Sequence, residues 1–290
     1  FDRVRGGLGE VVRASDVLGH PLRRQDLRNW MAGRDWLKEV PGTLALSIVQ
    51  PLARNDMALY EAHLQAEGHA GFRIRTAGQA PDLYIVDAIE PQQGFRSALG
   101  FDLGSEPVRR EAIQRAVDSG LPALSGRVTL VQEARRRVSL LYLMPMYDKG
   151  MPLTTVVQRR AALRALTSVP IVVDELLQGV DAALQGQVRF TLMDTARDGT
   201  LHRLAGTARQ AGQESQPRFA RELDLNVGGR TLQLQVHSTP GFDEDNANTM
   251  AVWLGMLGLL LSALAAVSVW LMISGRVRAQ SMAEAMTKDL

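Results

Sequence analysis

The side chains that could do chemistry are spread along this sequence without the spacing of a catalytic or metal site. Its histidines form no HExxH motif and no pair one helical turn apart; they are His20, His63, His69, His202 and His237. The chain has no cysteine, so a zinc site would need carboxylates brought together by the fold. The sequence also contains no G-x-S-x-G motif, the signature of a common class of serine hydrolases. We therefore predict no catalytic residue, no metal and no cofactor.

Three further clusters have an ordinary structural interpretation. The glycines at positions 6, 7 and 9 resemble a phosphate-binding loop, but no strand precedes them and no Lys-Ser or Lys-Thr follows. Asp174 and Glu175 lie on a predicted helix, where solvated charges are expected. The arginines at positions 135–137 could grip an anion, although a solvated hairpin tip is the favoured interpretation.

Charge and composition argue against nucleic acid as a partner of this protein. The 290 residues include 33 basic and 31 acidic side chains, and 46% of the residues are hydrophobic. The basic residues are scattered instead of gathered on one stripe, which argues against binding to a polyanion. The length allows two globular units or one unit with subdomains.

One uncharged segment near the C-terminus predicts a membrane span. Residues 250–273 contain no charge and would form a helix about 36 Å long, enough to cross a hydrocarbon core of about 30 Å. Trp253 and Trp270 lie near its ends, where aromatic rings prefer the interface. We predict a transmembrane helix over 250–273.

The flanking charges predict the orientation of this span in an inner (plasma) membrane. Acidic residues at 243–245 precede it, and Arg276 and Arg278 follow it. The positive-inside rule places residues 274–290 in the cytoplasm and residues 1–248 in the periplasm or outside the cell. Since the sequence starts Phe1-Asp2-Arg3 without an apolar leader, we expect a further N-terminal anchor outside this numbering.

The periodicity of the first 245 residues indicates an α+β fold. Apolar residues at helical spacing open the chain, ending near Gly19, and helices then alternate with short strands in two successive halves. The strongest local signal is a hairpin in which residues 219–227 and 232–236 alternate around Gly228-Gly229.

Six short blocks resemble the CHASE domain, an extracytoplasmic sensor of histidine kinases and nucleotide cyclases. They share the order and spacing of that family and read YIV at 84–86, IEP at 89–91, ALGFD at 98–102, EPVRR at 106–110, AVDSG at 116–120 and VTLVQE at 128–133. The resemblance covers about residues 40–180 and extends to the MPMY sequence at 144–147.

The resemblance implies a long N-terminal helix carrying two PAS-like antiparallel-sheet subdomains, assembled as a homodimer. The division it suggests is a helical stalk at 1–40, a membrane-distal subdomain at 41–160 and a membrane-proximal one at 161–245. The span at 250–273 and the start of a cytoplasmic output helix at 274–290 follow. The distal subdomain is expected to hold the ligand.

The candidate ligand-binding residues follow from that expectation. They are Tyr84, Phe101, Asp102, Leu124, Tyr142 and Leu143. In plant cytokinin receptors of this family an aspartate contacts the adenine ring; alignment places Phe101 at that position, and Phe95 where asparagine is frequent. These exchanges indicate a more apolar site. Core packing explains the apolar candidates equally well, and for Asp102 a structural role bonded to backbone donors is favoured.

The sequence therefore predicts a sensor that binds an unknown small molecule and signals across the membrane to a kinase, cyclase or phosphodiesterase. One alternative is a sensor of a protein partner or of the membrane state, which an exposed apolar patch without an enclosed cavity would favour. Another is a membrane-anchored exported enzyme.

Overall fold

The computed structural model describes residues 1–18, 23–129, 137–184, 186–196, 199–207, 218–245 and 249–288. The chain divides into two compact units, Phe1–Thr239 and Pro240–Leu290. The predicted α+β class is confirmed, since the first unit combines helices with two antiparallel sheets. The glycine-rich start of the chain is helical, whereas His20 and the arginines at 135 and 136 lie outside the described residues.

The elements follow one another in mixed order. The helices are α1 (Asp2–Leu18), α2 (Arg24–Ala32), α3 (Trp36–Glu39), α4 (Met57–Ala66), α5 (Pro107–Ser119), α6 (Val156–Ala162), α7 (Val173–Leu184), α8 (Pro240–Asp245) and α9 (Thr249–Lys288). The strands are β1 (Leu46–Ala53), β2 (Asp82–Glu90), β3 (Ala123–Leu124), β4 (Ser139–Tyr147), β5 (Leu163–Val172), β6 (Val188–Thr195), β7 (Leu201–Gly206), β8 (Ala220–Val227) and β9 (Arg230–Ser238). The expected N-terminal helical region thus contains three helices, of which α1 ends at Leu18.

The first sheet has five strands in the order β2-β1-β5-β4-β3. Its central strand β5 pairs antiparallel with both β1 and β4. Because β5 runs from Leu163 to Val172, the first sheet extends beyond residue 160, where we had expected its subdomain to end.

Apolar side chains cover both faces of the first sheet. Val4, Leu8 and Val11 of α1 belong to the core on one face, and α5 packs on the other through Ala112 and Ile113. Successive side chains of a strand point to opposite faces. A buried strand such as β4 therefore contributes side chains to the cores on both faces. Such a strand shows no alternation of apolar and polar residues, so that pattern cannot identify it in the sequence.

Helix α5 has clear start and stop signals in the sequence. The Glu106 carboxylate accepts hydrogen bonds from the backbone N–H groups of Val108 and Arg109, both at 3.0 Å, and Pro107 occupies the first turn. Gly120 ends the helix with a φ of +74°, a conformation that other residues adopt only with strain. These signals fix the position of α5 over the sheet.

The second sheet has four strands in the order β7-β6-β9-β8. The predicted hairpin is confirmed as β8 and β9, with Gly228 and Gly229 at φ values of +54° and +65°. The tip of the hairpin contacts the first sheet, because the Leu124 backbone N–H donates to the Gly228 carbonyl at 2.9 Å. The two sheets are therefore connected at β3.

The C-terminal unit consists of α8 and α9. Helix α9 has 40 residues, and its stretch Val252–Met272 has a mean hydropathy of 2.2. Among the described residues, this is the one helix that is long and apolar enough to cross a membrane. The helix predicted over 250–273 is confirmed as a helix, and it continues through the stretch that follows.

Candidate functional site

A small cavity lies between the first sheet and α5. It offers about 40 Å³, room for roughly three water molecules. Most of its wall is apolar and comes from β2, β4, β5 and the segment after β2; the apolar residues are Val86, Ile89, Phe95, Ala98, Phe101, Leu103, Leu141 and Pro170. The cavity combines apolar walls with a few polar groups, as ligand sites usually do.

The polar groups of this cavity are Ser47, Ser168 and Arg109. The Arg109 side chain is buried, with a relative exposure of 5%, and its guanidinium lies 5.3 Å from the centre of the Phe101 ring. Its Nη2 donates to the Thr129 carbonyl at 2.7 Å. Burial lowers the pKa of this guanidinium, and the nearby Glu106 carboxylate opposes that shift.

The structure does not bring the six sequence-predicted residues into one pocket. Phe101 lines the cavity, and Tyr84 and Leu143 pack in the core on the same face of the sheet without lining it. Leu124 and Tyr142 belong to the core on the opposite face. Tyr142 and Leu143 are neighbours in β4, so their side chains point to opposite faces.

Both tyrosines serve as packing residues. The Tyr142 ring lies 6.5 Å from the Phe1 ring, beside α1. Arg110 stacks over Tyr84 at 5.7 Å from its ring centre. Burial raises the pKa of both phenols, so they stay protonated at neutral pH.

Asp102 is a structural carboxylate. It is fully buried, and its Oδ1 accepts hydrogen bonds from the backbone N–H groups of Tyr84 and Gly104, both at 2.9 Å. Its Oδ2 accepts from the Thr76 hydroxyl at 2.7 Å. The carboxylate thus joins β2 to the segment that carries Phe101.

We expect Asp102→Ala to lower the free energy of unfolding by roughly 2–4 kcal/mol, because two backbone donors and a hydroxyl lose their acceptor. Asp102→Asn is the matched control. Its carbonyl oxygen can keep both backbone donors and its amide can donate to Thr76, so we expect a loss below about 1.5 kcal/mol. Urea titration followed by tryptophan fluorescence measures both, and equal losses would contradict the assignment.

The family model of the CHASE domain matches residues 21–204, more than half of the chain. This chain belongs to the CHASE domain family. CHASE domains are extracytoplasmic sensor modules of signalling receptors and are not catalytic. A search of curated proteins found no match.

Sequence reasoning missed the most polar residue of this CHASE domain's cavity. Arg109 precedes Ala112, Ile113 and Ala116 by three, four and seven positions, the spacing of one helix face. A charged residue on the apolar stripe of a helix is the signal that could have identified it. Ser47 and Ser168 carried no such signal, since β1 and β5 bring them together only through pairing.

A larger cleft beside β2 is open to solvent. It has a volume of about 1290 Å³ and is lined by two carboxylates, Asp87 and Glu67, and by six arginines, Arg23, Arg24, Arg28, Arg73, Arg75 and Arg96. Arg24 donates to Asp87 at 3.0 Å, and burial, with Asp87 nearby, raises the pKa of the Tyr60 phenol. Four of the six arginines are already held by carboxylates or carbonyls of the protein.

No group of three or more histidine, aspartate or glutamate side chains suited to a metal ion occurs within the described ranges. The cavity under α5, which combines apolar walls with a buried arginine, is the candidate functional site of this CHASE domain.

Proposed function

We propose that this chain is the ligand-sensing part of a transmembrane signalling receptor whose cytoplasmic output is a histidine kinase, a diguanylate cyclase or a phosphodiesterase. One observation carries the proposal: a CHASE domain contains a cavity lined by a buried cation, and its chain continues into an apolar helix of membrane-spanning length. The small size and apolar lining of the cavity support a small-molecule ligand.

The proposed signalling unit is a homodimer with two PAS-like subdomains in each protomer. The five-stranded sheet forms the membrane-distal subdomain and the four-stranded sheet the membrane-proximal one. We propose that ligand binding shifts the population between two arrangements of the distal subdomain. The contact between Leu124 and Gly228 supports a path from the first sheet to the hairpin, whose strand β9 leads along the chain to α8 and α9.

The cavity assignment predicts that Phe101→Trp blocks ligand binding while the domain stays folded. A larger ring fills a space of only about 40 Å³. The matched control is Phe219→Trp, because Phe219 is exposed. A thermal-shift screen of small molecules on the complete chain in lipid nanodiscs measures the effect. We expect compounds that stabilise the wild type and the control but not Phe101→Trp; a full shift in Phe101→Trp with every such compound would contradict the assignment.

The proposed topology places residues before α9 outside the cytoplasm and the end of α9 inside. This chain has no cysteine, so single cysteines can be introduced as Gly241→Cys and Lys288→Cys. In intact cells that carry the receptor, we expect a membrane-impermeant maleimide to label the first variant and not the second. Lysis should allow labelling of both. Equal labelling of the two variants before lysis would contradict the topology.

A further inference from the structure

We infer that the cavity under α5 takes a small monocarboxylate, whose carboxylate group is bound by the guanidinium of Arg109. The inference rests on the proposed sensor function and adds the chemical class of the ligand. It depends on three features of the cavity: a buried cation without a carboxylate partner among the described residues, a hydroxyl without a hydrogen-bond partner among them, and walls that are otherwise apolar.

Among the residues that the structure describes, Arg109 has no carboxylate partner, and its side chain is buried. Of its side-chain donors, Nη2 alone has an acceptor among the described residues, the Thr129 carbonyl. The nearest acid along the helix, Glu106, already accepts two backbone hydrogen bonds at the start of α5. Buried charges in proteins are normally paired, because an isolated one loses its hydration without compensation. An anion in the cavity would supply the missing partner.

The hydroxyl groups of the cavity add a second indication. Ser168 is 1% exposed, and its buried Oγ has no hydrogen-bond partner in the described part of the chain. Ser47, on the paired strand β1, donates through its own Oγ to the Ser168 carbonyl at 3.1 Å. Buried hydroxyls are almost always hydrogen-bonded. A hydroxyl that lines a cavity and has no hydrogen-bond partner therefore marks a position for a ligand oxygen.

Charge and size together narrow the ligand class. Arg109 is the only charged side chain among the described residues that line the cavity, and the rest of the wall is apolar except for the two serines. A cation would meet repulsion there, and a second anionic group would find no partner. The planar guanidinium of an arginine matches the geometry of a carboxylate, and a space of about 40 Å³ suits an acid about the size of acetate.

The test uses the complete chain in nanodiscs, with sodium acetate as the probe and acetamide as its neutral counterpart. We expect acetate to raise the unfolding temperature and to bind in calorimetry, with acetamide at least tenfold weaker. Arg109→Gln should weaken acetate binding at least tenfold, and Ser168→Ala about fivefold, the loss of one hydrogen bond. Arg127→Gln is the control, because Arg127 is an exposed arginine that lies outside the cavity and its loss changes the charge equally.

Equal binding of acetate and acetamide would overturn the inference, and so would full acetate binding by Arg109→Gln. If Arg109→Gln does not fold, Arg109→Lys keeps the charge without the planar guanidinium and should still bind acetate, more weakly than the wild type. Acetate binding that survives Phe101→Trp would place the anion elsewhere and also overturn the inference. If only neutral compounds bind, and Phe101→Trp excludes them, the sensor function stands and the carboxylate class fails. If Phe101→Trp excludes none of the bound compounds, the cavity assignment fails with it.

Discussion

Replacing Arg230 with methionine should lower the free energy of unfolding of the sensor by about 3–5 kcal/mol, because it leaves a buried carboxylate without its cation. Asp194 is 2% exposed, and Arg230 binds both of its oxygens, with Nε at 2.5 Å from Oδ1 and Nη2 at 2.9 Å from Oδ2. The pair joins the end of β6 to the start of β9. Urea titration of the purified chain measures the loss.

The double variant Arg230→Met with Asp194→Leu separates the ion pair from simple packing. Removing both charges takes away the unpaired carboxylate, so we expect most of the stability to return. Arg230 also approaches the first sheet, since a Cβ atom on Gly126 would lie 3.0 Å from its Nη2. If the double variant is as unstable as Arg230→Met alone, packing against Gly126, and not the charge pair, is the main contribution of Arg230.

Gly228→Ala should lower the free energy of unfolding by at least about 2 kcal/mol, because it disrupts the contact between the two sheets. The same change should weaken the proposed coupling between the cavity and the second sheet. Its φ of +54° disfavours any side chain, at roughly 1–2 kcal/mol. A Cβ atom there would also lie only 2.5 Å from the backbone nitrogen of Leu124, so the hairpin tip would have to move away. The free energy of unfolding, measured by urea titration, reports the loss.

Gly229→Ala is the matched control for this prediction. Gly229 lies in the same turn with a φ of +65°, but a Cβ atom there would only touch the Arg115 side chain at 3.5 Å. The difference in free energy of unfolding between the two variants therefore reports the contribution of the contact with β3. Equal destabilisation would mean that the hairpin tip does not depend on Leu124, and the path proposed between the two sheets would lose its support.

Local patterns in the sequence were sufficient for several elements of the fold. The hairpin around Gly228-Gly229 was predicted because alternation and turn chemistry are both encoded within a few residues. The signals that bound helix α5, Glu106, Pro107 and Gly120, are equally local, since each acts within one turn of a helix end. The apolar stretch in α9 was predicted because hydropathy and length need no knowledge of the rest of the chain.

The site was only partly predictable, because its members come from strands that are distant in sequence. Phe101 was predicted as a site residue from its place in a family block, and it lines the cavity. Phe95, which also lines it, was noted only as an exchange for the asparagine that is frequent in the family. Leu124 and Tyr142 were grouped with Phe101, but strand geometry turns these two side chains toward α1. Which face a side chain occupies depends on the pairing register, and a shift of one residue reverses it.

The sequence by itself determined the family, the α+β class, the apolar helix and the hairpin, since each follows from composition, spacing or local turn chemistry. The tertiary structure alone decided that β5 is the central strand and that Asp102 holds the backbone of β2. It also decided that Arg109 is a buried cation without a carboxylate partner among the described residues, and that it lines one cavity together with Ser47 and Ser168. These features depend on contacts between residues far apart in the chain, and such contacts form only when the sheets assemble and exclude water.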